Sequence, residues 1–161
     1  MQKRKSFLVA TFKIGDTWLG IPIVAVKEIL TEIPVTPVHR LESYVVGLIN
    51  VRGQVVTVLD LAEKLGIKGA VEDKYHFLIL RTNQELANLT VEVMGETIDD
   101  PVAFRVGAIG DVIEINDKIL SPPPPNLAQI DRAYLKGVAK LEDRLLGILD
   151  LEKVLSREIK V

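Results

Sequence analysis

Apolar positions along this chain fall in short runs broken by turn residues, and the sharpest pair lies in residues 44–65, YVVGLINVRGQVVTVLDLAEKL. The runs 45–51 and 55–61 are rich in Val, Leu and Ile and too short for two separate helices, so each reads as a strand. Between them lie Arg52, Gly53 and Gln54, and Gly53 can take the positive φ that a tight hairpin turn demands. After Asp60 the pattern changes. Leu61, Ala62 and Leu65, with Glu63 and Lys64 between, suit one helical turn stopped by Gly66. The unit predicts strand, turn, strand, helical turn.

The same unit returns without a gap at 134–155, YLKGVAKLEDRLLGILDLEKVL. Tyr44 aligns with Tyr134, Gly47 with Gly137, Leu59-Asp60-Leu61 with Leu149-Asp150-Leu151, and Leu65 with Leu155. Gly53 meets Asp143, another residue that tolerates left-handed backbone at a turn. Shared turn chemistry on top of a shared apolar pattern implies two copies of one small β-rich subdomain.

Outside the two copies the alternation continues. Residues 7–14 and 17–21 read as strands joined by Gly15-Asp16, with Trp18, the single tryptophan, as a core or rim residue. Residues 23–30 carry Lys27 and Glu28 in an apolar, β-branched segment after Pro22, an irregular strand; Glu28 either faces water at its edge or serves an interface or ion pair. Pro34 and Pro37 make 31–43 a stiff connector, and residues 76–80 read as a buried strand. Segment 83–101 is the least regular, although 89–93 alternates as a strand would. The strand pattern resumes over 102–115, where Ile109-Gly110-Asp111-Val112 aligns with Val26-Lys27-Glu28-Ile29 and extends the repeat upstream. The four prolines 122–125 read as a ligand for proline-binding modules or as a rigid connector, and their place, matching that of Pro34 and Pro37 before the first hairpin, favours the connector.

Composition narrows the class. The chain has 161 residues, 48% of them hydrophobic, enough to bury a core. A net charge of −2 offers no broad attraction to nucleic acid or anionic membranes. There is no cysteine, and His39 and His76 are the only histidines, so disulfides, thiolate chemistry and histidine-rich metal sites lack their parts. No run is apolar and long enough for a membrane span, and no secretory signal opens the chain; the expectation is a soluble, cytoplasmic protein. Residues 7–155 are expected to form one domain, with flexible tails at 1–6 and 156–161.

Enzyme signatures are absent: no nucleophile elbow, phosphate loop, dinucleotide fingerprint or zinc-protease motif occurs. Asp60 and Asp150 admit two readings, as a carboxylate dyad or as two helix N-caps, and their identical place in both copies favours caps. Glu96, Asp99 and Asp100 form an acidic loop whose spacing does not fit a calcium loop. No cofactor or metal is expected.

With these stretches in hand, the chain resembles the CheW family of bacterial chemotaxis adaptors. The likeness rests on FLVATFKIGDTWLGIPIVAVKEIL, on VVGLINVRGQVVTVLDL with its Asn50-Val51-Arg52-Gly53 turn, on VGAIGDVIEI and on the second hairpin. It implies a mainly β fold of two five-stranded, SH3-like barrels packed around a shared interface, with strands able to exchange between lobes. It also implies a non-catalytic scaffold that couples the cytoplasmic tips of chemoreceptors to the regulatory domain of the histidine kinase CheA in membrane receptor arrays. By the family pattern, Gly47, Asn50, Arg52 and Gly53 fall in the receptor-binding groove, Val26 and Glu28 face the kinase, and Gly137 marks a second-lobe interface.

The chain departs from the pattern at Thr57, where proline is usual, at Gly107, where aspartate is common, and in the long connection 83–101. Glu28 and Arg52 are expected to approach one another at the rim of the working surface. The alternative class is a small-molecule-binding or enzymatic β-barrel using Asp60, Asp150 or the acidic loop.

Overall fold

The structure, a computed structural model, describes residues 6–39, 42–89, 99–125, 127 and 129–156. The expected tails fall outside the described residues apart from Ser6 and Ser156, and so does most of the strand expected over 89–93. Eleven strands are described: β1 Ser6–Ile14, β2 Thr17–Pro22, β3 Val26–Thr31, β4 Val45–Val51, β5 Gln54–Asp60, β6 His76–Leu80, β7 Val102–Val106, β8 Ala108–Asn116, β9 Leu120–Ser121, β10 Leu135–Lys140 and β11 Leu145–Leu149. Three five-residue helices accompany them: α1 Leu61–Leu65, α2 Asn83–Ala87 and α3 Leu151–Leu155.

The strands form two sheets, ordered β3-β6-β7-β5-β4 and β8-β1-β2-β11-β10-β9. Read in that order the two sheets match strand for strand, down to one parallel pair in each, β5 with β7 and β11 with β2. The correspondence crosses the chain. Each copy of the repeat lends its opening hairpin, β1–β2 or β6–β7, to the sheet built around the other copy's closing hairpin. The lobes are therefore intertwined, and the second carries a sixth, two-residue strand. In the first lobe the role of β9 is taken by Thr36 alone, which exchanges two 2.8 Å backbone hydrogen bonds with Leu48.

The closing hairpins agree in register. Asn50 faces Val55 as Lys140 faces Leu145, and a bulge follows Val45 as one follows Leu135. The bulges free Gly47 and Gly137 for close approach: a Cβ on Gly47 would run into the Thr36 carbonyl, and one on Gly137 would lie 3.0 Å from the Ser121 carbonyl oxygen. Asp60 N–H donates to the Tyr44 carbonyl at 2.7 Å, and Asp150 N–H to that of Tyr134 at 2.8 Å.

The tips differ. Arg52 and Gly53, at φ 51° and 85°, form a two-residue turn with both central residues left-handed, the geometry that matches strand twist. Asp143 is not left-handed, contrary to the sequence expectation. The Leu141–Arg144 turn keeps the register, with Leu141 N–H donating to the Arg144 carbonyl at 2.8 Å.

Three apolar clusters explain the runs in the sequence. Phe77 and Ile79 point into the first barrel with Ile49, Val56, Val58 and Ala103, while Leu78 and Leu80 point into a central cluster with Phe12, Leu19, Ile21 and Phe104. Val9, Ile115, Leu146 and Ile148 fill the second barrel. Strands buried on both faces cannot alternate with polar residues, which is why 76–80 is wholly apolar up to its histidine. Helices α1 and α3 add Leu61, Leu65, Leu151, Val154 and Leu155 to the central cluster, joining the lobes through one core. Lys64 on α1 reaches across, its ammonium 4.2 Å from the Tyr44 ring centre and 6.0 Å from that of Tyr134.

Candidate partner-binding surface

Arg52 stands at the tip of the first-lobe hairpin because Asn50 closes the turn beneath it: Asn50 Oδ1 accepts the Gly53 N–H at 2.8 Å. The guanidinium then meets Glu28, with Nη1 2.5 Å from Oε1. The hydrogen bond and the charge of Glu28 hold the Arg52 pKa above its ordinary value. Three quarters of the arginine side chain remains exposed (75%), against 19% for Glu28. Four of the five donors of a guanidinium are left over by a single contact, so the pair orients Arg52 without using it up.

Glu28 comes to this place through an irregularity in β3. Val26 faces Leu80 and Glu28 faces Ile79, so Lys27 is an extra residue. In the second lobe Ile109 faces Phe12 and Val112 faces Ala10, so β8 carries an extra residue at the aligned position. The alignment of 26–29 with 109–112 is thus structural, and Asp111 is the counterpart of Glu28. Across from it stands Arg144, packed over the Trp18 ring at 4.2 Å and forked onto Asp143 at 3.0 and 2.8 Å. The hydrogen bond to Asp143, joined by the charges of Asp143 and Asp111, raises the Arg144 pKa. Next to these groups the lobes expose aliphatic residues at matching positions, Ile29 and Val112 after the acids, Val55 (57%) and Leu145 (45%) on the hairpins.

The remaining sequence-predicted residues divide. Val26 is turned into the central cluster and only 8% exposed, so its side chain is not available to a partner. Gly47 and Gly137 are buried and serve the hairpin's approach to Thr36 and Ser121. Asp60 and Asp150 cap α1 and α3, accepting from Glu63 N–H at 3.3 Å and Lys153 N–H at 3.4 Å. Asp60 also pairs with Arg105 at 2.7 Å, and Arg105 stacks on Tyr75 at 4.2 Å. The hollow beside them, lined by Asp60, Glu72, Tyr75, Arg105 and Gly107 among others, measures about 30 Å³, space for a water molecule or two rather than a metabolite. Of the acidic loop, Asp99 bonds Asn83 at 3.0 Å, and Glu96 lies outside the described residues. Among the described residues no group of three or more His, Asp or Glu is placed to hold a metal, and no helix is long and apolar enough to cross a membrane.

Sequence reasoning missed Arg144 and its tryptophan. The ninety-residue offset aligns Arg144 with Gln54, two places beyond Arg52, and only the folded sheet shows that it faces Trp18. It also missed Glu72. This carboxylate, brought from the link before β6, takes Gly15 N–H at 2.6 Å and fills the space that a Cβ on Gly107 would enter.

The two intertwined barrels share one core, and their rims pair a charged hairpin with exposed aliphatics. Residues 8–158 match the family model described as CheW-like domain, and the chain belongs to that family. It is 29% identical over 147 residues to the chemotaxis protein CheW of Rhizobium meliloti (strain 1021), covering 91% of this chain and 86% of that one. It is 27% identical over 146 residues to the protein FrzA of Myxococcus xanthus, covering 89% of this chain and 82% of that one. Among solved structures, the scaffolding protein TtCheW from Thermoanaerobacter tengcongensis shares the fold with a TM-score of 0.78 at 24% identity, over 99% of this chain and 94% of that one. The chain is a member of a chemotaxis scaffold family.

Proposed function

We propose that this chain is a non-catalytic adaptor that joins the cytoplasmic tips of chemoreceptors to the regulatory domain of the histidine kinase CheA. It works in the cytoplasm and is recruited to membrane receptor arrays, with 7–155 as its working unit. The observation that carries the reading is the recurrence of one rim on both lobes: an oriented arginine, Arg52 or Arg144, an acid beside it, Glu28 or Asp111, and exposed aliphatics adjoining each. An adaptor needs faces that two partners can occupy together, and a duplicated fold supplies them. Arg52 with Asn50 and the Gly53 turn is the receptor-facing set, supported by Gly47 beneath the hairpin. Glu28 faces the kinase, with Val26 anchoring its strand in the central cluster beneath it. Gly137 serves the second-lobe interface by letting Ser121 approach the hairpin.

The test is binding of the purified chain to the kinase regulatory domain and to a receptor cytoplasmic fragment, with thermal melting of the same samples. Arg52→Ala is expected to weaken binding to at least one partner roughly tenfold, the scale of an interface arginine, with the melting temperature nearly unchanged. Wild-type protein that binds neither partner, or a loss that merely tracks unfolding, would overturn the reading.

A further inference from the structure

The opening hairpins of the two lobes differ in how their strands are joined. The pair β1–β2 turns through Gly15-Asp16, whereas the corresponding pair β6–β7 is joined by 81–101. The start of that insertion is built onto the first lobe's working side. Arg81 donates its backbone N–H to the Ala25 carbonyl at 2.8 Å and its Nη1 to the carbonyls of Val24 and Val26 at 2.8 and 3.0 Å. Thr82 and Glu85 form a capping box that starts α2, and Leu86 anchors the helix, 5% exposed. From there Glu85 Oε2 reaches Lys27 Nζ at 2.6 Å. Lys27 is the extra residue of the β3 bulge, and the next residue is Glu28, the carboxylate that holds Arg52. Two ion pairs therefore meet on consecutive residues whose Cα atoms lie about 3.8 Å apart.

We propose that Glu85 is a positioning residue for Arg52. The ammonium of Lys27, on a long flexible stem one residue from Glu28, is a competitor for the same carboxylate. Glu85 occupies it, so Glu28 serves Arg52 alone and the guanidinium is held in one orientation above the hairpin. The insertion thereby sets how firmly the arginine is presented, a control that the second lobe lacks, because Gly110 stands at the position of Lys27 and brings no competing cation. That this orientation matters for a partner rests on the adaptor reading above; that Glu85 governs it does not.

The experiment compares wild type with Glu85→Gln, Lys27→Met and the double variant K27M/E85Q, in two readouts. The first is the side-chain 15Nε–1Hε NMR signal of Arg52, which reports its pairing without any partner. Glu85→Gln is expected to shift and broaden this signal, and the double variant to restore it, since no competitor then remains. A merely structural role for Glu85 would leave both Gln variants alike. The second readout is affinity for the partner that Arg52→Ala weakens: about a fivefold loss in Glu85→Gln, the scale of one surface ion pair, and recovery to within about twofold in the double variant. An unmoved Arg52 signal in Glu85→Gln, or a double variant as perturbed as the single, overturns the proposal. The expected NMR pattern in a protein that binds no partner supports the positioning role and overturns the adaptor reading instead.

Discussion

Arg52 Nη1 lies 2.5 Å from Glu28 Oε1, yet the backbone that carries the arginine is held by Asn50, whose Oδ1 takes the Gly53 N–H at 2.8 Å. Orientation of the side chain and formation of the turn thus have different causes and respond to different substitutions. The ion pair is solvent-facing and screened by salt. Glu28→Gln is therefore expected to leave the denaturation midpoint almost unmoved at physiological ionic strength while weakening partner binding. Asn50→Ala removes a side-chain acceptor from a turn amide and is expected to cost about 1 kcal/mol. Urea melts of the two variants separate the roles.

Gly53 and Gly47 sit on the same hairpin for different reasons. At Gly53, φ is 85° and a Cβ would meet nothing within 4 Å, so only backbone preference opposes a side chain. Gly53→Asn is expected to be tolerated and Gly53→Val to cost about 1–2 kcal/mol. At Gly47 an added methyl would strike the Thr36 carbonyl, which is itself bonded to the Leu48 N–H. Gly47→Ala is expected to cost at least as much as Gly53→Val, roughly 2 kcal/mol or more, because backbone must move. A Gly47→Ala protein as stable as wild type would show that the closure through Thr36 yields easily.

The hairpins, their caps and their alignment were legible because each is local: turn residue, apolar run and cap lie within one stretch of sequence. The match of Gly110-Asp111 with Lys27-Glu28 was legible through the repeat, although the bulges there were not. Strand exchange was expected only from the family resemblance, since a short apolar run carries no label for the sheet it will join. Helix α2 was also missed: its capping box, Thr82 to Glu85, is visible, but five residues give no helical period to read. The burial of Val26 was hidden for the reason that exposed Glu28, since the bulge shifts which residues face inward. The turn at Asp143 shows the limit of aligning residue types: register survived the change from Gly53, and backbone handedness did not.

Asp60 and Asp150 perform the same cap, but only Asp60 also holds an arginine. The position of Arg105 in β7 corresponds to Pro22 in β2, so the second lobe has no cation there. Asp150→Ala is expected to cost about 1 kcal/mol, the value of an N-cap. Asp60→Ala should cost about 1–2 kcal/mol more, because it also leaves Arg105, three quarters shielded from water, without its counter-ion. Equal destabilisation by the two substitutions in urea melts would mean that the Arg105 pair contributes nothing net.

Glu85 gives stability a pH dependence of known sign. Burial pushes its carboxyl pKa up, but the bonds from Lys27 and Thr82 and the charge of Lys27 outweigh this and hold it below the ordinary 4.5. A carboxylate depressed in the folded state contributes stability that is fully present above its unfolded pKa and is lost as pH falls through the folded value. Wild-type protein is therefore expected to lose more stability than Glu85→Gln between about pH 5 and pH 3, with the two curves parallel at neutral pH. Denaturant midpoints across that range check the difference, and parallel acid limbs would contradict it.

The last prediction concerns Glu72 and Gly107, far apart in sequence and pressed together in space. A Cβ on Gly107 would enter the space of the Glu72 carboxyl group, and that group accepts the Gly15 N–H at 2.6 Å. Gly107 also donates its N–H to the Lys13 carbonyl at 3.1 Å, and its own carbonyl receives His76 Nδ1 at 2.5 Å, so its backbone is fixed and the glutamate must yield. Being the end of a flexible side chain, the carboxylate can swing away, at the cost of its charge-assisted bond to Gly15. Gly107→Ala is therefore expected to cost about 1–2 kcal/mol, and Glu72→Ala a similar amount, since each ends in the same lost hydrogen bond. Together they should cost little more than either alone, as substitutions sharing one interaction are not additive. A double-mutant cycle in urea measures this directly. Strict additivity would mean that Glu72 does not occupy the space beside Gly107.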